Sequence, residues 1–184
     1  EPTELLYAYA QGYFPMAIPE ENDEIFWFKP DMRGIIPLEE FHISKNLRRL
    51  FNKHHFDLKI NGDFEGTIRS CANREDTWIS EDIIKSYCKL NELGYGYSFE
   101  TWRYGKLVGG LYGVAIGRVF FGESMFHTET DASKIALIFL VKYMKENQFK
   151  LLDTQYINEH LKQFGAKEIP NEEYEMLLAK ALES

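Results

Sequence analysis

Apolar and polar positions change rhythm several times along this chain, and each change marks an element. Thr3 to Gln11 reads as a short aromatic helix, with Thr3 a plausible N-cap and Gly12 its stop. Tyr13–Met16 and Ile25–Phe28 are apolar and extended, broken by Pro15, Pro19 and Pro30. Ser44 can cap a basic amphipathic helix running through Leu47, Leu50 and Phe51. Phe56 to Ile60 alternates like a strand, and Asn61-Gly62 is a turn signal. Asp63 caps a helix toward Cys71. Ser80 begins another that runs to Leu93 and stops at Gly94.

From Tyr95 the character shifts to Gly, Val, Phe and Tyr. The turn signals Tyr104-Gly105-Lys106 and Ile116-Gly117-Arg118 divide Tyr95–Phe126 into three antiparallel strands. Asp131 starts a long helix, Ser133 to Glu146, that buries Ile135, Leu137, Ile138, Leu140, Val141 and Met144. A buried strand over Phe149–Tyr156 follows, then a short helix holding Leu161 and Phe164 and ending at Gly165. Lys167–Ile169 reads as a last edge strand, and Asn171 opens a terminal helix. This order predicts an α+β fold: a mixed, acyltransferase (GNAT-like) sheet flanked by helices over residues 63–184. Residues 1–62 are expected to form a small aromatic-rich lobe against it.

With 184 residues, 45% of them hydrophobic and 15% aromatic, the chain can bury a substantial core. No apolar run reaches the roughly 18 residues of a membrane span, and the opening residues lack the basic-then-apolar signature of a secretory signal. Cys71 and Cys88 form no CxxC pair and are expected to be free thiols in a reducing cytoplasm. The five histidines show no metal-ligand spacing, so no metal is expected. A net charge of −8 argues against a protein devoted to gripping nucleic acid. Yet Lys45, Arg48, Arg49, Lys53, Lys59, Arg69 and Arg74 cluster in one stretch, against only Asp57, Asp63 and Glu65. Such a stripe is most often a solvated face, but it can also hold a phosphate backbone.

The most specific strings lie in the second half. Gly110-Leu111-Tyr112-Gly113-Val114 leads to Phe120-Phe121-Gly122-Glu123-Ser124-Met125-Phe126. Ala132-Ser133-Lys134, Leu152-Asp153-Thr154-Gln155 with Asn158 and His160-Leu161, and Phe164-Gly165-Ala166 follow in that order. With Tyr9–Pro15, Trp27–Pro30 and Asp76–Ser80, this series resembles the leucyl/phenylalanyl-tRNA–protein transferases over nearly the whole chain. The resemblance implies a reaction. An aminoacyl ester on tRNA (Leu, Phe or Met) is attacked by the α-amino group of a protein beginning with Lys or Arg, marking it for degradation by the N-end rule. No cofactor, metal or membrane is implied, because the ester is already activated. Oligomeric state is left open.

Candidate roles attach to residues matching the family's motifs. Asp153 and Gln155, two apart on a predicted strand, should share a face. By spacing alone, an Asp-X-Gln at a strand end is loop capping. In this motif, Asp153 can draw the amine's proton directly, draw it through Gln155, or hold the amine in line. Gln155 can instead donate to the developing oxyanion. Glu123 can orient the acceptor amine or pair with its basic side chain. The resemblance places Leu111, Phe120, Leu140 and Met144 in the aminoacyl pocket, with Tyr87 and Trp78 nearby, Ser124 and Asn158 at the active centre, and Tyr9 and Trp78 on the terminal adenosine. Met16 departs from the family, which carries an aromatic there. An acetyl-CoA-dependent acetyltransferase would need a glycine-rich pyrophosphate loop, which Ser124–Ser133 lacks. A non-catalytic binding module would have no need to keep Asp153, Gln155 and Glu123 together.

Overall fold

The computed structural model describes residues 2–18, 24–73 and 79–183, and for residues 16–18, 24 and 25 the backbone only. Helix α1 (Pro2–Ala10) starts at Pro2, one residue ahead of the predicted cap Thr3, because proline's fixed φ suits a first helical turn. It ends at Ala10, and the chain turns away at Gly12, whose φ is +91°. Strands β1 (Phe14–Ile18) and β2 (Glu24–Phe28) form a separate two-stranded antiparallel ribbon.

The remaining strands make one sheet. In chain order they are β3 (Met32–Ile35), β4 (Asp57–Ile60), β5 (Gly96–Arg103), β6 (Lys106–Ile116), β7 (Val119–His127), β8 (Leu151–Gln155) and β9 (Lys167–Pro170). Their spatial order is β4-β5-β6-β7-β8-β3-β9, antiparallel throughout except for the parallel β7–β8 pair. Two of these strands, β3 and β4, come from the stretch before residue 62. Of that stretch, α1, β1 and β2 stand outside the sheet.

Helices cover both faces, as strand alternation requires. Val119 and Phe121 of β7, Tyr112 and Val114 of β6, and Leu151 of β8 pack against four helices: α1, α3 (Phe64–Ala72), α4 (Glu81–Glu92) and α7 (Asn171–Glu183). Phe120, Leu111 and Leu152, on the alternate positions, pack against α2 (Lys45–Asn52) and α5 (Ala132–Glu146). The caps are side chains whose oxygens suit exposed N–H groups. Ser44, Asp63 and Ser80 accept from the backbones of Leu47, Gly66 and Ile83. Asn158 caps the short α6 (Glu159–Lys162) through Leu161 N at 2.8 Å. The buried Glu100 adds a carboxylate to the start of α3, accepting from Asp63 N at 2.9 Å, Ser98 Oγ at 2.5 Å and Trp102 Nε1 at 2.8 Å.

Two irregularities matter most for the site. Between β6 and β7 the register slips, pairing Tyr112 with Ser124 but Gly113 with Gly122, so Glu123 is the extra residue of a β-bulge. Gly113 makes room, since a Cβ there would lie 2.2 Å from the Phe121 carbonyl oxygen. Between β3 and β8, Gly34 pairs with Gln155 and Ile35 with Asp153, leaving a second irregularity at Thr154. A Cβ at Gly34 would lie 2.6 Å from the Tyr156 carbonyl carbon.

Candidate active site

Strands β7 and β8 are paired only from Val119–Leu151 to Phe121–Asp153. Beyond that point each strand bulges, and the two separate. Their splay opens a pocket of about 670 Å³. Residues 122–128 form one wall, and Leu152, Thr154, Gln155, Tyr156, Asn158, His160 and Leu161 form the other. Leu111 from β6 and Ser133, Leu137 and Leu140 from one face of α5 make a largely apolar side.

Glu123 stands at the inner end of the splay. Its Oε1 accepts from the Tyr9 hydroxyl and from Gln155 Nε2 at 3.1 Å, and Tyr9 is hydrogen-bonded in turn to Tyr87. The other oxygen, Oε2, is buried and takes no partner among the described residues. Burial pushes this carboxyl up to about 8, against the pull of the Tyr9 and Gln155 hydrogen bonds. Tyr9 and Tyr87 are raised well above an ordinary phenol by burial and then by the nearby Glu123 charge, so both stay neutral donors.

Asp153 is placed differently. It is fully buried and does not line the pocket. Its two oxygens accept four bonds, from Arg33 Nε at 3.1 Å, Arg33 Nη2 at 2.6 Å, Tyr174 Oη at 2.7 Å and the Gln155 backbone N at 2.8 Å. Arg33 is equally buried. Its Nη1 donates to the Gly12 carbonyl at 2.5 Å, and its guanidinium lies against the Phe14 and Tyr174 rings. Burial lowers the Arg33 pKa, but the Asp153 charge and hydrogen bond, with Tyr174 and Glu123, together outweigh it and the net shift is upward. The bond from Asp153 to the backbone two residues on makes an Asx-type turn. Within it Gln155 has φ +67°, and Tyr156 N donates to Thr154 O at 2.7 Å across it. This is a γ-type turn in the strained, positive-φ region. The Gln155 amide is thereby aimed at Glu123.

The sequence-predicted residues thus divide by position. Glu123, Ser124, Leu111, Leu140, Gln155 and Asn158 line the pocket. Phe120 and Met144 lie in the same core cluster as Leu111 and Leu140, one layer behind the wall. Tyr87 supports Glu123 through Tyr9. Tyr9 itself is fully buried, its ring 5.8 Å from that of Trp27 and 5.0 Å from that of Phe121. No ring face is left for an adenosine; its hydroxyl, not its ring, addresses the site. Trp78 and the side chain of Met16 lie outside the described residues, as does Arg74.

Periodicity and spacing gave no reason to single out Arg33, Tyr174, Ser133, Met125 or His160. For Arg33 a signal was present: a lone arginine inside the otherwise apolar Met32–Ile36 run needs a buried acid. His160 lines the pocket with a buried Nε2 that takes no partner among the described residues. Burial, then Lys134 and His127, lowers its pKa. On the outer surface, Lys45, Arg48 and Arg49 of α2 and Lys53 at its C-cap are exposed with no acidic partner among the described residues.

Among the described residues no helix is long and apolar enough to cross a membrane. The GCN5-related glucosamine N-acetyltransferase region of a fungal multi-domain GH3 β-N-acetylglucosaminidase is similar in fold. It aligns at a TM-score of 0.52 and 8% identity, over 91% of this chain and 22% of that one. The leucyl/phenylalanyl-tRNA–protein transferase of Paramagnetospirillum magneticum is 51% identical over 182 residues, covering 97% of this chain and 87% of its own. The family model described as leucyl/phenylalanyl-tRNA protein transferase matches residues 35–179, and the model of that family's N-terminal domain matches residues 1–31. On these matches, the chain belongs to the leucyl/phenylalanyl-tRNA–protein transferase family.

Proposed function

We propose that this protein transfers leucine, phenylalanine or methionine from aminoacyl-tRNA to the N-terminus of proteins beginning with Lys or Arg, marking them for degradation in the cytoplasm. The observation that carries this reading is Glu123: a buried carboxyl at the inner end of an apolar-sided pocket, with one oxygen held and the other unpartnered among the described residues. An α-amino group has a pKa of about 8 and must shed a proton before attack. A carboxyl near 8 exchanges that proton at little cost, because the two affinities match. Once the ammonium proton has gone to solvent, the neutral amine attacks the ester carbonyl; as the N–C bond forms, the ionised Glu123 takes the proton that the nitrogen loses and returns it to the tRNA oxygen as the ester C–O bond breaks.

Asp153, saturated by four donors, acts in this reading as a positioning residue. It holds the turn that aims Gln155, and Arg33 and Tyr174 hold Asp153. Leu111, Met125, Leu137 and Leu140 receive the aminoacyl side chain. A flexible Met among leucines suits unbranched and γ-branched guests, while a β-branched guest loses a few kcal/mol by shape. The exposed cations of α2 meet the tRNA backbone.

The test is transfer of radiolabelled Leu and Phe from charged tRNA to casein peptides beginning with Arg, Lys or Ala. Label on the Arg and Lys peptides alone is the expected result. No transfer with tRNA binding intact would leave a binding module; no transfer and no binding would end this reading.

A further inference from the structure

The groove between β7 and β8 is longer than one aminoacyl group requires. Seven consecutive residues, 122–128, line it, a length of roughly 20 Å at the rise of a strand. Along this stretch β7 is paired with β6: Gly122 with Gly113, Met125 with Leu111, Phe126 with Gly110 and His127 with Gly109. On the other side the parallel ladder with β8 ends at Phe121–Asp153, where β8 turns away toward β3. Met125, Phe126 and His127 take no main-chain partner on the groove side among the described residues. The fold therefore starts a parallel ladder and leaves its second half open, facing the pocket. Open strand edges pair readily with extended chains.

Resting on the transferase reading above, we infer that the acceptor protein's first residues bind as an extended strand, parallel to the open β7 edge and in the place β8 vacates. The direction follows from the geometry. The acceptor's α-amine must reach Glu123 and Gln155 at the inner end, and its chain must leave past His127 toward the mouth. N-terminus to C-terminus then runs the same way as β7. The aminoacyl side chain meanwhile occupies the apolar side of the pocket at Leu111, Leu137 and Leu140 and meets the Met125 side chain, while the acceptor uses only the main-chain edge of β7. Recognition through the main chain leaves the acceptor's second and third side chains free to vary.

In a parallel ladder the residues of one strand bond its neighbour alternately, so every second N–H points at the partner. The experiment uses that alternation. An Arg-Ala-Ala-Ala peptide with a C-terminal fluorophore is compared with versions N-methylated at residue 2 or at residue 3, on the full-length protein. Dissociation constants come from anisotropy and turnover from label transfer. Methylation at one of the two positions is expected to weaken binding about tenfold, a bond lost plus a methyl against the edge. Methylation at the other should change it less than about twofold, because that N–H faces away. Equal effects at both positions, or none at either, would overturn the pairing. Protection of the Met125–His127 amides from hydrogen exchange by charged tRNA but not by peptide would overturn it too, by assigning the edge to nucleic acid. Binding reports on this proposal and turnover on the transferase reading, so either can fail alone.

Discussion

Replacing Asp153 by alanine should damage the fold before it says anything about catalysis. The substitution strands Arg33, which is fully buried and keeps only the Gly12 carbonyl as an acceptor. It also removes the acceptor of the Tyr174 hydroxyl and of the Gln155 N–H. Breaking a buried ion pair by deleting one partner costs about 3–5 kcal/mol, and each further orphaned donor adds about 1–3 kcal/mol where water cannot replace the bond. A loss of at least about 4 kcal/mol is therefore expected for Asp153→Ala, a large part of the ~5–15 kcal/mol that holds a typical domain together. The double variant Arg33→Met/Asp153→Leu replaces the pair with apolar groups and should recover about 2 kcal/mol or more of that loss. Urea unfolding of the parent, both single variants and the double variant, followed by tryptophan fluorescence, measures the cycle. A cost below about 1 kcal/mol for Asp153→Ala, or strict additivity in the cycle, would refute the coupling. Measured where the variant is folded, transfer should still fall far more than tRNA affinity, because Gln155 loses its aim.

Gln155→Gly relieves the positive-φ strain but deletes the Nε2 bond to Glu123, so stability should change by less than about 1 kcal/mol while transfer falls; a loss above about 3 kcal/mol or a fully active variant would contradict this. Glu123 has a folded pKa of about 8 against an ordinary value of 4.5. Its contribution to stability is therefore full below 4.5 and is lost as pH rises to about 8, at up to ~1.4 kcal/mol per unit. Glu123→Gln does not titrate, so its melting temperature relative to the parent should climb between pH 5.5 and pH 9; a flat difference would place the carboxyl in water. Reversing charge in Arg48→Glu/Arg49→Glu should weaken tRNA binding and reduce the slope of log K against log salt by about one per lost phosphate contact. Unchanged filter-binding affinity would make α2 a solvated face.

Much of the fold was legible along the chain because its causes are local. Ser44, Asp63, Ser80 and Asn158 cap helices because a short polar side chain reaches its own backbone, and that needs no distant partner. Gly105 and Gly117 turn hairpins because their φ values of +75° and +57° suit glycine. Strand β3 was not legible: four residues containing a glycine, Met32–Ile35, carry too little alternation to announce a strand.

The motif strings identified the family and most of the pocket lining, but not what the acidic residues are for. Asp153 and Glu123 look alike as carboxylates near strand ends. Tertiary structure separates them, because Arg33, 120 positions away, saturates one, while two bulges and burial leave the other protonatable at the pocket's inner end. Local sequence encodes propensity and capping. Charge state and pairing depend on which distant groups exclude water around an atom, and only the assembled sheet decides that.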